Sequence, residues 1–593
     1  MSALSESPLK VLRGGEFVIE TPSLESIFTP SDVNEEQQLI RKACLDFVLK
    51  EVHLAGHLVE NQHDLLIKSA KLGLLGAHIP EQFGGMELDS DTTTLILEEL
   101  GKGGGSFDTS FAAHTGIGML PILYYGTEEQ KSKYLPPMCD GSLIGAYCLT
   151  EPGSGSDALA AKTKAVLSED GNHYLLNGQK MWISNAGFAG VFIVFAKIDG
   201  EHFTAFIVDR ETAGLTLGEE ENKLGIKGSS TRQVFLENVK IPRENILGQI
   251  GKGHHIAFAV LNIGRFKLGA MCMGGSKFAT KLSVEYANER HQFGKPISSF
   301  GAIQYKLAEQ AIRIYALESA VYRVSHLMQQ MRYKQIEDGK DYATSLQESA
   351  EEYSIECAII KVFGSEVLDY VVDELVQVHG GYGFSEDYKP AGIYRDSRIN
   401  RIYEGTNEIN RLLMVNMLLK KAMRGDLELT GPAWEVQKEL TQMPSFGGPK
   451  GELGKEEQSI ANIKKILLLT AGAAVKYQMD GKHDLRNEQM ILTNVADILV
   501  DVFVSESLFM RVKKELNDEN KEWSMAILST FLSDAQSRIA KNASDALSSF
   551  AAGDELRIMS MGLQRFSKYP TPNVKENRQL IAKLLIEKND YAF

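Results

Sequence analysis

Apolar residues recur at helical spacing over residues 35–145, where Leu39, Ala43 and Phe47 fall on one face. Glycine-rich stretches such as 103–105 interrupt this pattern and predict breaks between helices. The preceding residues are polar and contain several glycines and prolines, which is typical of an extended arm. The pattern therefore predicts an N-terminal arm over residues 1–34 and a helical domain over residues 35–145.

The pattern changes to short runs of β-branched and aromatic residues over residues 146–253. Two of these runs are Val191–Ile198 and residues 203–208. Asn177-Gly178 lies between two further runs, and this dipeptide predicts a tight hairpin turn. We therefore expect a β domain that follows the first helical domain.

Long helical patterns return over residues 254–425 and again over residues 459–593. Thr406 is placed to cap the start of one of these helices, and Gly425 is placed to end it. The intervening residues 426–458 are rich in glycine and proline, which predicts a linker. The second half of the chain is therefore predicted to form two helical domains that are joined by a linker.

The composition argues against several classes of protein. The chain has 593 residues and a formal net charge of −15, which does not fit a nucleic-acid-binding protein. The longest apolar stretch of note, residues 466–475, is too short to span a membrane, and the first residues lack the pattern of a signal or transit peptide. The five cysteines show no metal-binding spacing and are too few for a disulfide framework, so we expect a cytoplasmic protein without a metal.

Glu404 is the most informative residue of the chain. It lies between Tyr403 and Gly405, just before the helix that Thr406 is expected to cap, and therefore on a loop. A loop held by a rigid scaffold can place a carboxylate over a bound substrate. The alternative is an acid that favours the positive end of the helix dipole. Residue 404 taken alone does not separate these two interpretations.

Four other motifs accompany residues 403–406. Residues 147–157 read Tyr-Cys-Leu-Thr-Glu-Pro-Gly-Ser-Gly-Ser-Asp, residues 181–185 read Met-Trp-Ile-Ser-Asn, residues 290–294 read Arg-His-Gln-Phe-Gly and residues 377–383 read Gln-Val-His-Gly-Gly-Tyr-Gly. Taken singly, the first is compatible with a surface turn, the second with a core tryptophan and the third with a cation at a helix C-terminus. In this order and at this spacing, the five motifs resemble the acyl-CoA dehydrogenase family over about residues 35–425.

The resemblance implies a multidomain α+β fold. It comprises a helical N-terminal domain, a central β-barrel domain, a C-terminal four-helix-bundle domain with the catalytic Glu404, and an extra helical C-terminal domain. That extension, together with residues 262–264, Gly116 and Gly118, most resembles the very-long-chain type. The implied reaction is FAD-dependent α,β-dehydrogenation of a fatty acyl-CoA of long chain to a trans-2-enoyl-CoA in fatty acid β-oxidation. Glu404 would abstract the α-proton, and flavin N5 would take the β-hydride.

The resemblance also implies which residues bind the cofactor and the substrate. Ser184 would reach the flavin N5 region, Arg290 would contact the FAD pyrophosphate across a subunit interface, and Gln377 would contact the adenosine side from the neighbouring subunit. The implied FAD-binding residues are Tyr147, Leu149, Thr150, Gly155, Ser156, Trp182, Ile183, Ser184, Arg290, Gln292, Phe293, Phe300, Gln304, Gln377, Val378, Gly380, Gly381, Thr406, Asn407 and Glu408. The implied substrate-binding residues are Ser156, Asn262, Arg265, Tyr403 and Gly405, with Arg265 at the phosphate or adenine end of CoA.

Gly264 occupies the position at which some branched-chain and long-chain members of the family carry their catalytic glutamate. Glycine cannot act as a base, which leaves Glu404 as the candidate. A small residue beside the base is also expected to leave a deeper acyl cavity.

Two alternatives to a dehydrogenase remain at this point. An acyl-CoA oxidase shares the fold and the flavin but passes its electrons to oxygen, and the motifs do not exclude it. A non-catalytic scaffold on the same fold is the second alternative, and the presence of Glu404 and of the flavin motifs argues against it. For a dehydrogenase, the resemblance implies electron-transfer flavoprotein as the electron acceptor and a homodimer or homotetramer as the assembly.

Overall fold

The computed structural model describes residues 11–56, 58–440, 442, 450–481 and 484–593. Helices form the first domain after residue 34. Two of them continue into π-helical turns, Val48–Val52 after α1 and Ala113–Gly118 after α5. The helices are α1 (Glu35–Phe47), α2 (His53–Ala55), α3 (Val59–Ala70), α4 (Ser90–Leu100), α5 (Gly105–Ala112), α6 (Leu120–Tyr125) and α7 (Glu128–Cys139).

An eight-stranded sheet follows, as the change of pattern predicted. Its hydrogen-bonded path runs β6-β7-β3-β2-β4-β5-β8, and β1 pairs in parallel with β4. Both β1 and β2 pair with β4, so the loop that joins them begins and ends beside β4. The strands are β1 (Gly145–Cys148), β2 (Lys164–Leu167), β3 (His173–Ser184), β4 (Val191–Ile198), β5 (His202–Asp209), β6 (Leu215–Leu217), β7 (Thr231–Pro242) and β8 (Ile246–Leu247).

The predicted hairpin turn at Asn177-Gly178 is wrong. Both residues lie inside β3, at a bulge in its pairing with β7. A methyl group at Gly178 would come within 2.4 Å of the Thr163 hydroxyl, so glycine here permits a close approach of two strands. The same dipeptide that marks hairpin turns therefore marks a bulge in this chain.

The third domain is helical and is built around four long helices, α8, α9, α11 and α14. One of them, α8, is long and apolar enough by composition to cross a membrane, but 72% of its most apolar window is buried inside the protein, as expected for a core helix. The elements are α8 (Gly253–Glu289), β9 (His291–Gln292), β10 (Lys295–Pro296), α9 (Gly301–Glu337), α10 (Tyr342–Glu352), α11 (Ser354–His379), α12 (Gly381–Phe384), α13 (Lys389–Ser397) and α14 (Asn407–Arg424).

The C-terminal extension packs on the third domain, and both contribute to one hydrophobic core. Its first helix, α15, lies within the predicted linker, so residues 430–439 are not the irregular chain that their composition predicts; residues 443–449 of that linker lie outside the described residues. The helices are α15 (Thr430–Glu439), α16 (Gly454–Met479), α17 (Gln489–Glu515), α18 (Lys521–Phe550), α19 (Gly553–Phe566) and α20 (Val574–Lys588).

The described part of the predicted arm, residues 11–34, forms three short 3-10 turns. It lies against the extension, because the ring of Phe17 packs at 4.8 Å from that of Phe503 and Lys464 Nζ donates a hydrogen bond of 2.6 Å to the Glu20 carbonyl. The arm is therefore a packed part of the protein.

Candidate active site

Glu404 lies on the loop that leads into α14, as predicted. Thr406 caps that helix by accepting a hydrogen bond from the Ile409 amide (3.2 Å), and Gly425 ends it in a left-handed conformation. The Glu404 backbone is itself left-handed, with φ 58°. This conformation is costly for a residue with a side chain, and it persists only where the surroundings impose it.

Side chains from three helices hold the Glu404 loop. The Asn410 amide of α14 donates to the carbonyl oxygens of Glu404 (3.3 Å) and Gly405 (2.8 Å). Arg265 Nε of α8 donates to the Glu404 carbonyl (3.3 Å), and Lys361 Nζ of α11 donates to the Gly405 carbonyl (2.8 Å). These contacts are what impose the strained backbone and fix the direction of the carboxylate.

The Glu404 carboxylate is desolvated and incompletely bonded. Its Oε2 atom is buried and has no hydrogen-bond partner among the described residues. Burial raises the pKa of Glu404 to about 7, although the charges of Arg265 and Lys361 oppose the rise. A carboxylate with a pKa near neutrality suits a general base.

Gly264 lies directly against this carboxylate. A methyl group at residue 264 would be 2.8 Å from Glu404 Oε2 and 3.1 Å from its carboxyl carbon. The sequence-based expectation that residue 264 borders the base is therefore met by the geometry. A side chain here would have to displace Glu404.

A cavity of about 500 Å³ opens at Glu404. It brings Ser184 and Gly264 together with the adjacent residues Tyr403 and Glu404, and these residues come from three distant parts of the sequence. It then follows one face of α8 from Gly264 to Phe278, a distance of roughly 20 Å at the rise of an α-helix. The lining from α8 comprises Gly264, Lys267, Leu268, Met271, Cys272, Gly275 and Phe278.

Ionisable side chains interrupt the apolar lining, among them Lys102, Asp108, Lys267, Lys389, Arg395 and Asp396. Burial lowers the pKa of Lys267 to about 7, and its ammonium donates a hydrogen bond of 3.1 Å to the Thr115 carbonyl. Burial also raises the pKa of Asp108 well above its ordinary value, and the charge of Asp396 adds to the rise. Burial therefore disfavours the charged forms of both Lys267 and Asp108.

The loop between β1 and β2 forms a second feature of the site. Glu151 of this loop forms an ion pair with Lys180 (2.7 Å) and accepts hydrogen bonds from Thr163, and these contacts hold the loop in place. On the open side, methyl groups at Gly153 and Gly155 would meet no atom within 4 Å. The loop thus presents free space and backbone amides on a rigid support.

Trp182 and Ser184 end β3 beside this loop. Trp182 has a left-handed backbone (φ 60°) and leaves 53% of its surface exposed, so it is not the core tryptophan of the alternative interpretation. An open loop, a half-exposed aromatic ring and a serine that lines the Glu404 cavity fit the edge of a planar ring cofactor.

A second, shallower pocket of about 600 Å³ is lined by residues that were predicted to bind FAD, several of them at its adenosine side. It is lined by Arg290, Gln292, Val378, Gly380 and Gly381, among others. Methyl groups at Gly380 and Gly381 would meet no atom within 4 Å. The pocket therefore pairs a cation with accessible glycine backbone, which fits a phosphate-bearing ligand.

Other predicted residues of this region lie nearby or are less accessible. Phe293 is 93% exposed at the tip of the β9–β10 hairpin, with its ring 6.0 Å from that of Phe300. Gln304 donates to the Ser298 carbonyl (3.2 Å). The side chains of Ile183 and Val378 are buried, so these two residues can reach a cofactor only through their backbone.

The structure gives Arg265 and Asn262, both predicted to bind substrate, contacts inside the protein, and their predicted roles stay predictions. Arg265 is 6% exposed, and its guanidinium is bonded to Asn262 Oδ1 (2.9 Å) as well as to the Glu404 carbonyl. The guanidinium is therefore held between the Glu404 loop and Asn262. Its role in the structure is to hold the loop of the base.

Asn407, also predicted to contact FAD, has a side chain that is engaged inside the protein, and the predicted contact stays a prediction. Asn407 is buried, its Oδ1 accepts from Lys361 Nζ (2.6 Å), and its Nδ2 donates to Glu366 Oε1 (3.1 Å). Both ends of the amide are therefore used inside the protein. The neighbouring Thr406 and Glu408 are not buried in this way, and their predicted contacts stay predictions.

Lys361 and Asn410 were missed by the sequence analysis, although both hold the loop of the base. A signal for Lys361 is present, because it is a lone charge in the apolar run Ala-Ile-Ile-Lys-Val-Phe. A charge in such a run has to find a partner inside the protein. Asn410 carries no comparable signal, because a polar residue in the first turn of a helix is ordinary.

Models of four domains match the chain in order. They are the N-terminal (34–142), middle (146–239) and C-terminal (251–419) domains of acyl-CoA dehydrogenase, and a further acyl-CoA dehydrogenase C-terminal domain (462–565). A probable acyl-CoA dehydrogenase of Bacillus subtilis is 45% identical over 99% of this chain and all of that protein. The chain belongs to the acyl-CoA dehydrogenase family.

Two further acyl-CoA dehydrogenases locate the chain within the family. The human mitochondrial very long-chain specific acyl-CoA dehydrogenase is 34% identical over 82% of this chain and 76% of that protein. A crystal structure of a Bacillus anthracis acyl-CoA dehydrogenase complexed with FAD superposes with a TM-score of 0.93 at 44% identity, over 98% of this chain and all of that one. Both likenesses include the C-terminal extension, so the order of helical, β, helical and additional helical domains is confirmed.

Proposed function

We propose that this acyl-CoA dehydrogenase oxidises long-chain fatty acyl-CoA thioesters to trans-2-enoyl-CoA, with Glu404 as the base that removes the α-proton. The observation that carries the assignment of the base is the carboxyl group of Glu404, a residue that lines the cavity: its pKa is raised and its Oε2 atom has no hydrogen-bond partner among the described residues. Removal of a proton next to a thioester needs a positioned base of this kind.

The cavity supports a long acyl chain. An extended alkyl chain advances about 1.25 Å per carbon when its bonds are ~1.5 Å long. The face of α8 from Gly264 to Phe278 therefore has room for about 16 carbons. The very long-chain specific human relative supports the same preference.

FAD is the cofactor of this enzyme, and two sets of residues fit it. The β1–β2 loop with Trp182 and Ser184 would hold the ring, and Arg290 with Gly380 and Gly381 would hold the phosphates and adenosine of an FAD from a neighbouring subunit. Bound FAD supplies the acceptor for the β-hydride, which no side chain provides. Ser184 of the first set lines the Glu404 cavity, whereas Arg290, Gly380 and Gly381 line the other pocket, and this separation supports a homodimer or homotetramer.

The partners and the compartment follow from the same proposal. We expect electron-transfer flavoprotein to accept the electrons, as the family resemblance implies. A cytoplasmic location is supported by the five cysteines, all of which are buried and unpaired.

The experiment is anaerobic mixing of the purified holoenzyme with acyl-CoAs of graded chain length while the flavin absorbance is followed. The wild-type flavin should bleach, fastest with long chains, and Glu404→Gln should retain FAD and bind acyl-CoA but lose bleaching by several orders of magnitude. Fast bleaching of Glu404→Gln would contradict the assignment of the base. Oxygen consumption with acyl-CoA, measured in the absence of another acceptor, would identify the oxidase alternative.

A further inference from the structure

A chain of polar contacts connects the C-terminal extension to the loop of the base. Asp497 of α17 accepts a hydrogen bond from Arg411 Nε of α14 (2.7 Å). The other face of the Arg411 guanidinium binds Glu366 of α11 through Nη1 (2.8 Å) and Nη2 (3.0 Å). Arg411 is thus clamped between an acid of the third domain and an acid of the extension.

The contacts continue from Glu366 to the backbone next to the base. Asn407 Nδ2 donates to Glu366 Oε1 (3.1 Å), and Asn407 Oδ1 accepts from Lys361 Nζ (2.6 Å). Lys361 Nζ also donates to the carbonyl of Gly405 (2.8 Å), the residue after Glu404. Every neighbouring pair in this series is within hydrogen-bonding distance.

The interior members of this series have no alternative partners in water. Asn407 and Lys361 are buried, so the direction of the Lys361 ammonium depends on the orientation of the Asn407 amide. That orientation depends in turn on Glu366 and on the Ser365 hydroxyl, which lies 3.0 Å from Asn407 Nδ2 and 3.3 Å from Asn407 Oδ1. Because Glu404 has a strained backbone, a small loss of support at Gly405 is enough to let its carboxylate move.

We propose that Asp497 is a positioning residue for the catalytic base, which acts through Arg411, Glu366, Asn407 and Lys361. Asp497 fixes the guanidinium of Arg411, and this group fixes the carboxylate that orients Asn407. The extension thereby takes part in the geometry of the active site, although Asp497 touches neither substrate nor cofactor. The inference rests on the proposed role of Glu404.

The test compares Asp497→Asn with a matched variant of the same helix. Asp501 lies one turn further along α17 and pairs with Arg538 of α18 (2.6 Å), entirely within the extension. Asp501→Asn removes the same charge from the same helix but does not touch α14. It therefore controls for a general loss of stability in the extension.

The measurement is the limiting rate of anaerobic flavin reduction at saturating acyl-CoA, together with the acyl-CoA concentration at half saturation. Asp497→Asn should lower the limiting rate about three- to tenfold, the effect expected for one partly exposed ion pair, with half saturation unchanged. Asp497→Glu should restore part of the rate, and Asp501→Asn should lower the melting temperature without changing the rate of the folded enzyme.

Two results would overturn the proposal. One is a limiting rate of Asp497→Asn within about twofold of wild type, which is below any useful coupling energy. The other is an equal loss of rate in Asp497→Asn and Asp501→Asn. Glu404→Gln, measured in parallel, separates the two proposals: if it still reduces the flavin, the role of Glu404 fails, whereas a failure of Asp497 alone leaves that role intact.

Discussion

Glu404 combines a strained backbone with a carboxylate whose ionisation lies within the physiological range. The general base is active when it is deprotonated, and burial raises its pKa to about 7. The rate should therefore rise with pH through about 7 and level off above it, because a raised pKa keeps the carboxyl protonated at lower pH.

This pH dependence is measured as kcat/KM of the free enzyme from about pH 5 to pH 9. The expected result is a tenfold fall per pH unit well below the midpoint. A midpoint near 4.5, the ordinary value of a glutamate, would show that the carboxylate is solvated in the free enzyme.

Gly264→Ala should lower the limiting rate for all chain lengths by about tenfold or more, because the new methyl group would lie 2.8 Å from Glu404 Oε2 and would displace the base. Gly264→Glu should add a further loss on long chains. The measurement is kcat/KM for one long and one short acyl-CoA.

Cys272→Leu is the matched control for Gly264. Cys272 lines the same cavity eight residues further along α8, which is about 12 Å from Gly264. This variant should impair long chains and spare chains that end before residue 272. Equal effects of both variants on short chains would show that the acyl chain does not follow α8.

At this scale, the sequence singled out Glu404 and its small neighbour but did not reveal the protein partners of some polar residues. Glu404 and Gly264 could be predicted because chemistry restricts what can stand at these positions. Asn262, Arg265 and Asn407 were assigned to ligands, and the structure turns them toward other protein groups. A sequence does not show which of two polar partners a buried side chain faces.

At the scale of elements, hydrophobic periodicity predicted β4 and the cap and end of α14 to the residue. The structure of Asn177-Gly178 and of the predicted linker differs from the prediction because local composition does not show which other parts of the protein these segments contact. Gly178 is required by the close approach of Thr163 in the sheet. The helix α15 packs on α16. Tertiary contacts decide such segments.

Arg290→Ala should lower the affinity for FAD about tenfold, because the end of α8 and the β9–β10 hairpin place this cation beside two open glycines. The flavin-to-protein ratio and the melting temperature of the purified variant measure the effect. His291→Ala, at an exposed neighbour in the same hairpin, is the control. Full flavin occupancy in Arg290→Ala would mean that Arg290 serves only the helix end.

At the scale of the whole molecule, buried charges join the extension to the third domain. Glu506 of α17 binds Arg323 of α9 (2.8 Å) and Lys464 of α16 (2.5 Å). A second buried pair, Arg511 with Glu318, repeats the connection (2.7 Å). Separating such buried ion pairs costs a large free energy, because each charge would be left without a partner and without water.

Glu506→Gln should destabilise the enzyme by roughly 3–5 kcal/mol, because it leaves two buried cations without their shared anion. Arg323→Met should cost clearly less, since Lys464 and Glu506 still form a neutral pair. The urea midpoints of the two holoenzyme variants provide the comparison. The reverse order would show that Lys464 is not charged in the folded protein.

The contact of the arm with the extension also means that, during synthesis, the arm is made long before the helix on which it packs. Phe17 leaves the ribosome before Phe503, against which it packs and which follows 486 residues later by their numbering. At roughly 5–20 residues per second, the arm waits on the order of half a minute to a minute and a half for its partner. During that interval Phe17 and Val18, both buried in the finished protein, are exposed on an otherwise growing chain. The nascent enzyme should therefore depend on a chaperone that shields residues 11–34 until α17 has been made.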